Sequence, residues 1–117
     1  MSADTPRRVR PKLMMIALAT SFVIGGAASA ALQTVVVFQE GRKFSESEVT
    51  IRRGQSVTFT NHDPFAHNVF SQTPGMSFDL RTQKPGSSSE VQFDNVGEAD
   101  VRCAIHPQMR MRVKVIP

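Results

Sequence analysis

An all-β domain, a sandwich or small barrel behind an export segment, is the fold class this sequence predicts. Three observations predict it. Short β-branched and aromatic runs recur from about residue 33 onward, with Gly and Pro turns between them. Over the same region no apolar repeat of helical period is sustained. The first thirty residues differ from the rest, with a basic start, an apolar middle and a small-residue end.

That opening segment comes first. Arg7, Arg8, Arg10 and Lys12 precede an uncharged stretch from Leu13 to Leu32, rich in large apolar side chains as far as Ile24. Small residues follow, ending Ala28-Ser29-Ala30. This is the layout of a secretory signal peptide cleaved after Ala30, which leaves residues 31–117 as one domain and predicts a periplasmic location. The alternative is an uncleaved anchor, since 20 residues could just cross a bilayer, but the second half is weakly apolar. Arg7-Arg8 also raises twin-arginine export, although Val9, Arg10 and Pro11 follow where that signal turns apolar.

The strands follow in order. Gln33–Gln39 carries Val35, Val36, Val37 and Phe38, too short a run for a stable helix. Glu48–Ile51 and Ser56–Thr60 alternate with period two, and Arg52-Arg53-Gly54-Gln55 between them reads as a hairpin turn. Asn61 to Ala66 is a loop punctuated by Asp63-Pro64. His67–Ser71 and Ser77–Leu80 are extended pieces around the Pro74-Gly75 turn, and Lys84-Pro85-Gly86 breaks the chain again. Glu90–Phe93 turns at Asp94 to Gly97, and Ala99–Cys103 and Met111–Ile116 are the last two strands. In the final strand Arg112 and Lys114 point outward, leaving Val113 with Val115 or Ile116 for the core.

Charge excludes one class of partner. Of 14 basic and 10 acidic residues, four basic ones and Asp4 lie before Ala30, so the mature domain carries 10 against 9. No basic stripe with interleaved aromatics remains, and Tyr and Trp are absent, so nucleic-acid binding is not supported.

A single cysteine, Cys103, forbids an internal disulfide. In an oxidising compartment a lone thiol must be buried, paired with another chain or bound to metal. Its surroundings favour metal. The sequence reads Cys103-Ala104-Ile105-His106-Pro107-Gln108-Met109, and upstream lies His67-Asn68-Val69. A thiolate, two imidazoles and a weak thioether form the donor set of a blue-copper site. The thiolate bonds copper strongly, the imidazoles suit both oxidation states, and the thioether helps set the potential. Taken singly, a strand Cys is usually an inert core residue and a lone His a surface or core one. Met109 is three residues after His106 and Met111 five after it; both remain candidates for the fourth position, with Met109 favoured. His62 reads as solvent-facing, and Met76 as packing near the ligand loops.

On these residues the chain resembles the plastocyanin and azurin group, the cupredoxins, from about Thr34 to Ile116. The shared features include His67-Asn68-Val69, Phe78-Asp79, Lys84-Pro85-Gly86 and a Cys-x-x-His-x-x-Met loop like that of amicyanin; Asn61, six residues before His67, is similar too. The resemblance implies a Greek-key β-sandwich. It implies one copper ion held by His67, Cys103, His106 and Met109, with Asn68 bonding the cysteine sulfur through its N–H and bracing the ligand loop. It implies transient redox-protein partners docking where His106 pierces an apolar patch that includes Phe65 and Pro107, and a monomer. Pro64, Pro74 and Met76 are expected at the same end.

The function implied is periplasmic electron transfer rather than catalysis. A copper enzyme would need a second metal site, and three His in the whole chain do not supply one. The alternative is a periplasmic copper-binding or chaperone protein, which would expose its site and carry Met-rich runs; only Met109 and Met111 lie close together. A sandwich that had lost its metal would not keep all four donors.

Overall fold

The computed structural model describes residue 25 and residues 33–117. The expected export segment, its cleavage after Ala30 and the possible anchor lie outside the described residues, Gly25 apart. Among the described residues there are eight strands and no helix: β1 (Val35–Gln39), β2 (Glu48–Arg52), β3 (Ser56–Asn61), β4 (His67–Ser71), β5 (Phe78–Gln83), β6 (Ser88–Gln92), β7 (Gly97–Arg102) and β8 (Arg110–Ile116). They form two sheets, one ordered β1-β3-β6 and the other β2-β8-β7-β4-β5. The all-β sandwich expected from the strand spacing is what forms.

Alternation explains how each strand sits. Along β8, Met111, Val113 and Val115 are buried while Arg110, Arg112 and Lys114 face solvent. β3 does the same with Val57 and Phe59, and β1 with Val37. Period two makes each of these strands apolar on one face only, and the faces meet between the sheets. Burying a side chain such as Phe59 or Val113 stabilises the fold by about 1.5–3 kcal/mol over leaving it exposed.

One expected pairing is wrong. Arg52 to Gln55 is a tight turn, with Gln55 N–H bonded to the Arg52 carbonyl at 3.0 Å and Gly54 at a φ of 89°. It does not join a hairpin. β2 runs parallel to β8, whereas β3 lies in the other sheet between β1 and β6. The turn is an arch because Ile51 and Val57, on either side of it, must reach one interior from opposite sheets. Its amides bond accordingly: Arg53 N–H to Ile116 at 2.8 Å and Gly54 N–H to Phe93 at 2.7 Å, one acceptor at the end of each sheet.

A second correction follows from strand direction. Met76 and Pro74 do not join the ligand loops. β4 runs from His67 to Ser71 and β5 returns from Phe78 to Gln83, with His67 paired to Gln83 and Ser71 to Phe78. The turn holding Pro74 and Met76 is therefore one strand length from His67. There Met76 packs beside Gly97, and Asn95 bonds the Gly75 carbonyl. Met76 is a packing residue, as expected, at the opposite pole.

Candidate metal centre

Two elements of the five-stranded sheet bring the donors together. His67 is the first residue of β4 and is fully buried. Cys103 directly follows β7 and Met109 directly precedes β8, so residues 103–109 are the connection of an antiparallel pair whose ladder closes at Arg102↔Arg110. Cys103 N–H reaches the Met109 carbonyl at 3.4 Å and Met109 N–H the His106 carbonyl at 2.9 Å, which folds the loop back on itself. β7 lies beside β4 through Phe70↔Arg102, and that neighbour relation carries the loop to His67.

His67 Nδ1, Cys103 Sγ and His106 Nδ1 form a group of donor atoms that all lie within 4.8 Å of one another. His67 Nδ1 is 3.1 Å from His106 Nδ1 and 3.9 Å from Cys103 Sγ. Imidazole bonds of about 2.0 Å to one ion place two nitrogens roughly 3.1–3.4 Å apart, and a thiolate bond of about 2.3 Å places sulfur roughly 3.5–3.9 Å from each. The three side chains fit one metal ion with little rearrangement.

Hydrogen bonds fix the orientation of each donor. His67 Nε2 lies 2.6 Å from Asp63 Oδ2. An ionised carboxylate only accepts, so Nε2 carries the proton and Nδ1 presents a free lone pair. Burial pushes the Asp63 carboxyl up, but the Arg42 N–H, the His67 ring and the Gly41 N–H outweigh it and leave it below the ordinary carboxylate value. For His106, burial comes first and the electrostatic influence of the neighbouring His67 and Arg42 second, and together they lower its pKa against the opposing Asp63. A neutral imidazole, the form that binds metal, is favoured there.

Asn68 braces the thiol and the loop. Its N–H donates to Cys103 Sγ at 3.4 Å, and its side-chain Oδ1 accepts the Ala104 N–H at 3.2 Å. The amide nitrogen of the same side chain donates to Asp79 Oδ1 at 2.8 Å and the Arg81 carbonyl at 3.0 Å. A buried cysteine sulfur that accepts an N–H bond is held in place before any metal arrives.

Around this core the remaining expected residues sort plainly. Met109 is buried, 1% exposed, within the ligand loop; Met111, 4% exposed, points between the sheets in line with Val113 and Val115. His62 is exposed and stacks on Phe38 with ring centroids 4.3 Å apart, away from the donor cluster. Phe65 packs against both histidine rings, 5.4 Å from His67 and 5.5 Å from His106, and the Arg42 guanidinium lies over the Phe65 ring, 4.9 Å from its centroid. Pro64 and Pro107 are exposed, and Ile105 is 49% exposed, on the neighbouring loops.

Asp63 is the residue that sequence reasoning missed. It reads as turn punctuation before Pro64, yet it is 6% exposed and bonded to a donor histidine. The spacing to His67 was visible, but four residues apart in a loop implies no contact, unlike the same spacing on a helix.

Comparison with known proteins agrees with this geometry. The family model described as copper binding proteins, plastocyanin/azurin family, matches residues 32–116. The chain is 36% identical over 76 residues to amicyanin-alpha of Methylorubrum extorquens, covering 62% of this chain and 64% of that protein. It is 37% identical over 82 residues to the chloroplastic plastocyanin of Tetradesmus obliquus, covering 62% and 57%. It thus spans somewhat under two thirds of the length of these curated relatives. Among solved structures it is similar to amicyanin from Paracoccus versutus, with a TM-score of 0.65 and 30% identity over 76% of this chain and 87% of that one. It is also similar to a copper-containing nitrite reductase from Thermus scotoductus, with a TM-score of 0.67 and 25% identity, over 79% of this chain but 25% of that one.

Proposed function

Since the chain belongs to the plastocyanin/azurin family of copper-binding proteins, we propose that it is a type 1 copper electron carrier of the periplasm, with His67, Cys103, His106 and Met109 as ligands. The convergence of His67 Nδ1, Cys103 Sγ and His106 Nδ1 within 4.8 Å carries the reading. Copper supplies a one-electron couple between Cu(I) and Cu(II). The protein's own residues hold donors in place for both states. His67 and Cys103 are buried and hydrogen-bonded from behind, so neither is free to swing when the charge of the ion changes. Little reorganisation is what rapid electron exchange requires.

Met109 suits the fourth position because it is buried inside the ligand loop, whereas Met111 is committed to the interior of the sandwich. His106 is the half-buried member of the cluster, flanked by Phe65 and exposed Pro107. Its ring edge gives the shortest route to a redox partner that docks transiently on Phe65 and Pro107. With three His in the sequence and two of them in this cluster, the donors for a second copper centre are lacking, which supports a carrier rather than an enzyme.

An absorption spectrum tests this directly. The Cu(II) protein shows an intense thiolate-to-copper band, and Cys103→Ser removes it while the domain stays folded. Stoichiometric Cu(II) without colour in the wild type would overturn the assignment.

A further inference from the structure

The carboxylate of Asp63 is surrounded by donors. Gly41 N–H reaches Oδ1 at 2.7 Å, Arg42 N–H reaches Oδ2 at 3.0 Å, and His67 Nε2 lies 2.6 Å from Oδ2. Two of these come from the loop between β1 and β2, where Arg42 adopts a φ of 57°, a conformation that side chains rarely take. That loop aims two successive amides at one anion. Asp63's own N–H is taken by Asn61 Oδ1 at 2.9 Å, so its backbone is fixed as well. His106 has no equivalent support: among the described residues its ring makes one polar contact, the 3.1 Å approach to His67.

We propose that Asp63 is a positioning residue of the metal centre, holding His67 as the Nε2–H tautomer with Nδ1 toward the metal and biasing the site toward Cu(II) over Cu(I). The inference rests on the copper reading above. Two effects have the same sign. A fixed negative charge one imidazole ring away attracts a doubly charged ion more than a singly charged one. A carboxylate accepting from Nε2 also makes Nδ1 a stronger donor.

Two measurements test it. Nitrogen NMR of the metal-free wild type should show His67 protonated at Nε2 and bare at Nδ1; protonation at Nδ1 would overturn the positioning role, and no variant need fold for this result. Asp63→Asn, which keeps the shape and removes the charge, should weaken Cu(II) binding roughly 10–100-fold. Cu(I) binding should weaken less, and each tenfold gap appears as a rise of about 59 mV in potential. Asp63→Glu, if it keeps the His67 tautomer, should keep most of the bias. Equal weakening in both oxidation states would overturn the redox role. A copper-loaded wild type lacking the thiolate band would instead overturn the copper reading, and with it the redox half, while the NMR result still decides the positioning half.

Discussion

Met109 and Met111 sit two positions apart with nearly the same burial, but they belong to different neighbourhoods. Met109→Leu replaces a thioether by a hydrocarbon of similar volume, so the fold should persist. Cu(II), the more charged state, loses more from the missing donor and the less polar surroundings, and the potential should rise with the blue colour kept. Met111→Leu should leave spectrum and potential almost unchanged and cost under about 1.5 kcal/mol in urea unfolding. Voltammetry of the two proteins side by side checks both; a shift confined to the Met111 variant would exchange their roles. The cluster of His67, Cys103 and His106 was legible because Cys103 and His106 lie three residues apart in one short loop, with Met109 following as the candidate fourth donor. Asp63 was not, because its meaning comes from Gly41 and Arg42, which reach it from another loop only after folding.

Strands were easier to read than their partners. The alternation in β3 and β8 marks which face is buried, but nothing local shows that Arg52 to Gln55 bridges two sheets rather than closing one hairpin. β5 shows a further limit. Arg81 has a φ of 60° in the strand opposite Asn68, where the β4–β5 register shifts, and a residue of ordinary appearance gave no sign of it. Asp79 stabilises that irregularity. The Arg81 N–H first, and then the Asn68 amide, hold its carboxyl below the ordinary 3.8, against a smaller effect of burial. The folded form therefore binds its proton less readily than the unfolded chain. The stabilisation is complete above the ordinary value and is lost as pH falls through the lower folded one. Urea unfolding of the metal-free protein below about pH 4 should accordingly lose less stability per pH step in Asp79→Asn than in the wild type. Parallel curves would show that Asp79 contributes nothing through its charge.

At the scale of the molecule, the donors sit on β4 and on the β7–β8 connection, so an ion that bridges them binds the folded state and not the open chain. Free copper at a thousand times its Kd should stabilise the domain by about 4 kcal/mol. At roughly 4–8 °C per kcal/mol for a domain of this size, the melting temperature should rise well beyond 10 °C. Equal melting temperatures with and without saturating copper would contradict a site formed by the fold. The parallel pairing of β2 with β8 has a different kind of consequence, one of timing. Glu48 aligns with Arg112 and Arg52 with Ile116, so an early strand waits for the final one. Every donor precedes Arg110. A chain that has emerged only as far as Met109 thus holds all four candidate ligands and none of the β8 ladder that closes the loop carrying three of them. Loading of copper therefore reports that β8 has joined the sheet, because the loop carrying three of the candidate ligands is closed only then.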